Sequence, residues 1–231
     1  MIDSTVGQIS LLSTAPMAQP KGEVAAFLAD ITFGFNMAPC TVMTQIENQS
    51  GAFLEFLHGY QEASEVMSQL EMPGRSFSED EKTLFQKMTL FDFLTANLDR
   101  HEENWMIRLG DDGEIVDIKC IDNGNCLPRQ NPGLSTSSLA IKQYLWKNLN
   151  IAREKFTDAS KQFILDHLTD ERLNALIDLY KEGAHGLEVD YFDNGMELLL
   201  RQRFEILKKI PSETGPLSAK ELGEIQEIET P

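Results

Sequence analysis

Two short polar stretches carry side chains able to do chemistry: DRHEEN, residues 99 to 104, and IDNG, residues 121 to 124. They flank two apolar runs, WMIRL and EIVDIKCI, joined by GDDG, which reads as a β-hairpin. A hairpin returns the two ends of its chain side by side, so Asn104 and Asp122 become neighbours. Together they suit one magnesium ion, a hard cation that takes oxygen ligands and fills its other positions with water and substrate phosphates. Asp99, five residues before Asn104, is then aimed at a nucleophilic hydroxyl in front of the metal. That layout is the one used in kinase-type phosphoryl transfer, where positioning and charge neutralisation supply most of the catalysis. Gly124 lets the backbone turn sharply beside the metal. The competing reading of the same residues is a capped helix followed by a solvated hairpin. An Asp and an Asn five apart are common by accident; DRHxxN followed by a hairpin and then IDNG is not.

Neighbouring side chains have open roles. His101 either relays a proton near neutral pH or holds Asp99 in place by a hydrogen bond. Arg100 is expected to fix its loop through a carboxylate or carbonyl, and Trp105, Tyr144 and Trp146 to lie in the core. His58, His167 and His185 have no partner at metal-ligand spacing and read as surface or satisfied histidines. Cys40, Cys120 and Cys126 form no CxxC pair and read as reduced, buried thiols.

The flanking sequence must position the two loops. From Glu23, VAAFLADITFGF puts Val24, Phe27, Leu28 and Ile31 on one helical face, with Gly34 as the stop. CTVMTQI and AFLEFL read as strands around ENQSG, and QEASEVMSQLEM as a helix. Ser78 and Glu81 have capping-box spacing. The helix they open, EKTLFQKMTLFDFLTAN, carries Leu84, Phe85, Met88, Phe91 and Thr95 on its apolar side and is expected at the centre of the core. After Pro132 the pattern is helical, over Ser137 to Asn148, Ser160 to His167, Asp170 to Lys181 and Asn194 to Ile210. The acidic end, PSETGPLSAKELGEIQEIETP, reads as a loosely held tail or a short partner-binding helix.

Composition narrows the partners. The chain has 231 residues and a formal net charge of -17, enough for one good core or two small ones. Such a charge repels a phosphate backbone, which excludes a broad nucleic-acid-binding surface, and it disfavours anionic lipid. The few basic residues, such as Lys208 and Lys209, stand far along the chain, which favours a protein or soluble acceptor over a membrane lipid. No basic n-region precedes an apolar core at the N-terminus, and no window reaches the length of a membrane span. The expected location is therefore cytoplasmic; a bacterial effector delivered into a host by a dedicated machine would lack both signals too.

FDFLTANLDRHEENWMI followed by IDNGNCLP resembles the catalytic and metal-binding loops of the phosphatidylinositol 3-/4-kinase superfamily, in particular its type II 4-kinase-like and bacterial branches; HipA-like protein kinases share a similar loop. EVAAFLADITFGFNMAPCTVM resembles the same group's helix and following strand, so the likeness runs from about residue 23 to about residue 146. The resemblance implies Asp99 as the catalytic aspartate, His101 as a second polar group near the transferred phosphate, Asn104 and Asp122 as metal ligands, and ATP and magnesium as cofactors. It places adenine at an interlobe hinge, here assigned to Glu55, Phe56 and Leu57. The implied fold is α+β, mostly α: a protein-kinase-like large lobe at residues 23–210, an arm or small-lobe remnant at 1–22, and an acidic tail at 211–231. A full small lobe needs more chain than precedes residue 23. STVGQIS is no phosphate loop, and the single early lysine, Lys21, sits between Pro20 and Gly22 rather than in a strand pattern. Two functions follow: an ATP-dependent phosphotransferase acting on a protein or lipid hydroxyl, or a pseudokinase or binding module whose cleft a partner chain completes.

Overall fold

A computed structural model describes residues 18–97, 99–127, 144–187, 191–212 and 214–225. STVGQIS, the first seven positions of the helix expected from Ser137 and the last six residues of the tail lie outside them. The first helix, α1 (Ala18–Phe33), begins five residues before Glu23, so the boundary expected between residues 22 and 23 falls inside it. Pro20 is accommodated near the helix start, where its missing N–H costs nothing. Val24, Ala25, Ala26, Leu28, Ala29 and Phe33 are all fully buried, so α1 is packed over most of its circumference, and only Ile31 departs from the expected face, at 49% exposed. Gly34 ends the helix in the left-handed region.

A two-stranded antiparallel hairpin follows, β1 (Thr41–Ile46) with β2 (Gln49–Leu54), in register Thr41 opposite Leu54. Its turn is Glu47–Asn48, both at positive φ, which suits a two-residue hairpin connection. β2 stops at Leu54, three residues earlier than AFLEFL suggests. Glu55, Phe56 and Leu57 therefore follow the hairpin instead of lying in it, on the way to β3 (Gln61–Glu62). That short strand takes the two residues expected to start the next helix, leaving α2 as Ala63–Leu70.

The central helix α3 (Glu79–Thr95) has the expected capping box: Ser78 accepts from the Glu81 N–H, and Glu81 accepts from the Ser78 N–H at 2.9 Å. Phe85, Met88, Leu90, Phe91, Phe93 and Leu94 are buried, and Phe91 meets Phe35 edge-on at 5.6 Å. β4 (Trp105–Leu109) and β5 (Ile115–Cys120) form the anticipated hairpin, with β3 on the far side of β4. Cys120 pairs with Trp105.

Past the undescribed stretch, Leu145–Asn148 and Asn150–Arg153 are single 3-10 turns. Helices α4 (Asp158–His167), α5 (Asp170–Lys181) and α6 (Asn194–Leu207) match the expected periodic segments, α4 starting two residues earlier and α6 ending three residues earlier than expected, each with a Thr or Asp N-cap. The tail is not loose through its described part. Ser218 caps α7 (Ala219–Glu224), which buries Ala219 and Leu222, and Gly223 lies so close to the Trp146 ring and Lys147 that a Cβ would press on both. Cys40 also departs from expectation: it is exposed, while Cys120 and Cys126 are buried.

Candidate active site

The hairpin brings the two polar loops together as its sequence requires. One step beyond the Trp105–Cys120 pair, the Ile121 N–H donates to the Asn104 carbonyl at 3.0 Å, so Asn104 and Asp122 stand at the base of the same ladder. Asp122 is exposed and has φ 50°, a left-handed conformation that Asp tolerates better than most side chains.

Arg100 ties this base to the core. Its side chain is fully buried and binds Asp92, inside α3, through Nε at 3.1 Å and Nη2 at 3.0 Å. Nη1 donates to the carbonyls of Asn104 and Ile121, the latter at 2.5 Å, and Nη2 donates to Asn123 Oδ1 at 2.6 Å. Trp146 Nε1 donates to the other Asp92 oxygen at 3.1 Å. Burial pushes the Asp92 carboxyl up, and the Arg100 guanidinium and the Trp146 N–H pull against it; Arg100 is itself held above its ordinary range by the carboxylate. The expectation that Arg100 fixes the loop through a carboxylate and carbonyls therefore describes what it does. Trp105, Tyr144 and Trp146 are core residues, also as expected.

Asp99 is half-buried and held from several directions. Its N–H donates to Asn97 Oδ1 at 3.2 Å, and its carbonyl accepts from Asn104 Nδ2 at 2.9 Å and from the His101 N–H at 3.0 Å. Its carboxylate Oδ2 accepts from Asn125 Nδ2 at 2.8 Å. The His101 ring faces the other way: Nδ1 accepts from the Glu103 N–H at 3.3 Å and lies 3.8 Å from the Glu103 carboxylate. The side-chain bond to Asp99 once open to His101 is thus made by Asn125.

The start of α1 closes the site from the other side. Gly22 and Gly124 meet backbone to backbone, so a Cβ on Gly22 would be driven into the Gly124 carbonyl, and Gly124 itself faces Gln19. Glu23, 8% exposed, follows directly, and its Oε2 has no hydrogen-bond partner among the described residues. Burial, and then the Asp122 charge, push the Glu23 carboxyl up to about 7, against the pull of Arg100 and Asn123. Lys21 is buried in the same helix, two residues before Glu23, and not in a strand.

The assigned hinge residues follow directly on β2. The Glu55 N–H is committed to the Cys40 carbonyl at 2.9 Å. Phe56 is 76% exposed, with its ring edge on His58, and Leu57 is half-buried. His167 is satisfied by Arg172 at 2.9 Å and a stacked Phe163, and His185 lies edge-on to Phe27. Among the described residues no three His, Cys, Asp or Glu side chains converge as a metal cage. Four site residues were not singled out from the sequence: Glu23, Asp92, Asn97 and Asn125. Asp92 had a visible signal, an acid in the middle of the apolar run LFDFL; the other three had none of comparable strength.

No family model matches the chain. In sequence it is similar to the phosphatidylinositol 4-kinase type 2-beta of Gallus gallus, 22% identical over 192 residues, covering 72% of this chain and 39% of that protein. The Mus musculus protein of the same name is 20% identical over 196 residues, covering 74% and 41%. The chain thus spans about two fifths of the length of these curated relatives. In structure it resembles the Helicobacter pylori proinflammatory kinase CtkA, with a TM-score of 0.51 and 16% identity over 83% of this chain and 77% of that one. These likenesses bear out the resemblance carried by DRHEEN and IDNG. The fold is mostly helical and kinase-like, and its described β-structure is a hairpin, a three-stranded sheet and an isolated bridge between Lys155 and Ser218. No helix among the described residues is long and apolar enough to cross a membrane.

Proposed function

We propose that this chain is the large lobe of an ATP-dependent phosphotransferase that passes the γ-phosphate to a hydroxyl of a protein or lipid. The observation that carries the reading is the single construction joining Asp99, Asn104 and Asp122: one hairpin base, clamped by one buried guanidinium. The donor set fits magnesium. The Asn104 amide nitrogen is committed to the Asp99 carbonyl, so Oδ1 would be its ligating atom, and Asp122, one residue past the ladder partner of Asn104, has an exposed side chain. Two protein oxygens suffice for an ion that keeps its waters until nucleotide phosphates replace them. Bound there with ATP, magnesium would neutralise phosphate charge. Asp99 then orients the acceptor hydroxyl and takes its proton, Arg100 keeps the two loops in register, and Glu55 to Leu57 border the base.

Proteins similar to the chain include phosphatidylinositol 4-kinases and a kinase named proinflammatory, and the reading takes in a protein or a lipid acceptor. The net charge of -17 favours a protein or soluble acceptor in a cytoplasm over an anionic membrane. Magnesium-dependent turnover of ATP by the full chain, lost in Asp99→Ala with the fold retained, is the test. No turnover with lipid, protein or water acceptors would overturn it. Co-sedimentation with anionic vesicles at low salt checks the charge argument.

A second reading is favoured by the buried, unpartnered Oε2 of Glu23. A partner chain that brings a cation to it would complete the cleft of a pseudokinase or binding module. Titration calorimetry with magnesium and ATP separates the two readings. Tight binding by the chain alone supports the enzyme, and binding that needs a second chain supports the module.

A further inference from the structure

We infer that Asn125 is a positioning residue that sets the orientation of the Asp99 carboxylate; this rests on reading Asp99 as the group that faces the acceptor hydroxyl. The backbone of Asp99 is already fixed by Asn97, Asn104 and His101. Those bonds act on its main chain and do not themselves fix the carboxylate plane, because the terminal sp³–sp² torsion of an Asp is broad and soft. A carboxylate that must present one oxygen to a hydroxyl needs that torsion restrained. The Asn125 amide, from a loop 26 residues away, holds one oxygen directly, at 2.8 Å to Oδ2. Hydrogen bonds to an ionised acceptor are the strong kind.

Asn125 can act in this way because its own loop is hydrogen-bonded into the structure on both sides. Asp122 and Leu127, at either end, sit in the left-handed region with φ 50° and 46°. The Cys126 N–H donates to the Asn123 carbonyl at 2.9 Å, and the Leu127 N–H to the Thr95 carbonyl at 2.7 Å, on the last turn of α3. The Cys126 side chain is buried, and the Asn123 side chain is bound to Arg100 and to the Cys120 carbonyl. Asp122 and Asn125 therefore belong to one braced turn. The group proposed to face the metal and the group that orients Asp99 are held at a fixed separation, which registers the acceptor side of the reaction against the phosphate side. A misplacement of about 1 Å at such a centre costs on the order of a hundredfold in rate.

The test uses the full chain with magnesium and γ-labelled ATP, offered water, casein and phosphatidylinositol in phosphatidylcholine vesicles as acceptors. Asn125→Leu keeps the side-chain size and removes the donor; Asn125→Gln keeps a donor on a longer arm. Expected for Asn125→Leu is a kcat lower by roughly tenfold to a hundredfold, with an unchanged KM for ATP and an unchanged Tm. Asn125→Gln should recover part of the lost kcat. An active wild type with an unchanged Asn125→Leu overturns the role of Asn125 and leaves the phosphotransferase reading standing. So does a Leu variant whose kcat, KM and Tm all fall together, since that outcome assigns Asn125 to the folding of its loop. A wild type inactive on all three acceptors overturns the phosphotransferase reading itself, and the role of Asn125 with it.

Discussion

Arg100→Met should destabilise the chain by about 3–5 kcal/mol, the range for breaking a buried ion pair and leaving one charge behind. Both partners are fully buried. Without the guanidinium, the Asp92 carboxylate retains the Trp146 N–H, while the carbonyls of Asn104 and Ile121 and the Asn123 side chain lose their shared donor. Against a total stability of about 5–15 kcal/mol that is a large fraction, and at about 2–4 °C per kcal/mol for a domain of this size Tm should fall by roughly 6–20 °C. Asp92→Leu should cost a similar amount, because it strands the buried guanidinium. The double variant should be less destabilised than the sum of the singles by about 1–3 kcal/mol, since neither charge is then orphaned. Urea unfolding of the four proteins at pH 7 measures all three quantities. A loss below about 1 kcal/mol for Arg100→Met, or strict additivity in the double variant, would refute the view that this ion pair holds the site on the core. Phosphoryl transfer by the double variant should stay impaired even where its stability is partly regained, because the three contacts to the loops are still missing.

Glu23 gives a pH signature. Its folded carboxyl titrates above the unfolded value of 4.5, at about 7, so the folded state holds the proton more tightly. The contribution of Glu23 is therefore fully present below about pH 4.5, falls as pH rises, and is lost above about 7; the difference is about 3 kcal/mol. Unfolding of Glu23→Gln beside wild type should show the variant gaining relative stability from pH 5 to pH 8, and a difference that does not change with pH contradicts the assignment. Gly22→Ala should lower Tm even though Ala is the better helix former by about 1 kcal/mol, because the new methyl meets the Gly124 carbonyl; a raised Tm would show that α1 does not press on the loop. Asp122→Asn should weaken magnesium–nucleotide binding more than Asp99→Asn does, as read by calorimetry, since Asp122 is proposed to face the metal and Asp99 the acceptor; equal losses count against that division.

What could be read from the chain alone was local. The capping box at Ser78 and Glu81, the apolar spacing of α3 and the hairpin around GDDG are signals contained within a few residues, because helix and strand periodicities and turn geometry act over that range. The hairpin also carried Asn104 to Asp122, since an antiparallel ladder determines which ends meet. The ends of elements and the partners of polar groups were decided elsewhere. β2 stops at Leu54, and residues 61 and 62 are drawn out of a helix to pair with β4, a tertiary pairing that overrides propensity. Arg100 finds Asp92 eight positions back and Asn123 twenty-three ahead, and Asn125 reaches Asp99 across twenty-six. Glu23 marks only a helix start in the sequence, and its burial accompanies the close approach of α1 to Gly124 that Gly22 permits. The segment of α7 is likewise a loose tail or a short partner-binding helix in sequence, and the fold makes it a helix packed against Trp146 of the same chain. A hydrogen bond between loops has no periodicity to announce it. It forms where the packing of α1, α3 and the hairpin leaves a donor and an acceptor with each other instead of with water, and only the folded chain makes that choice.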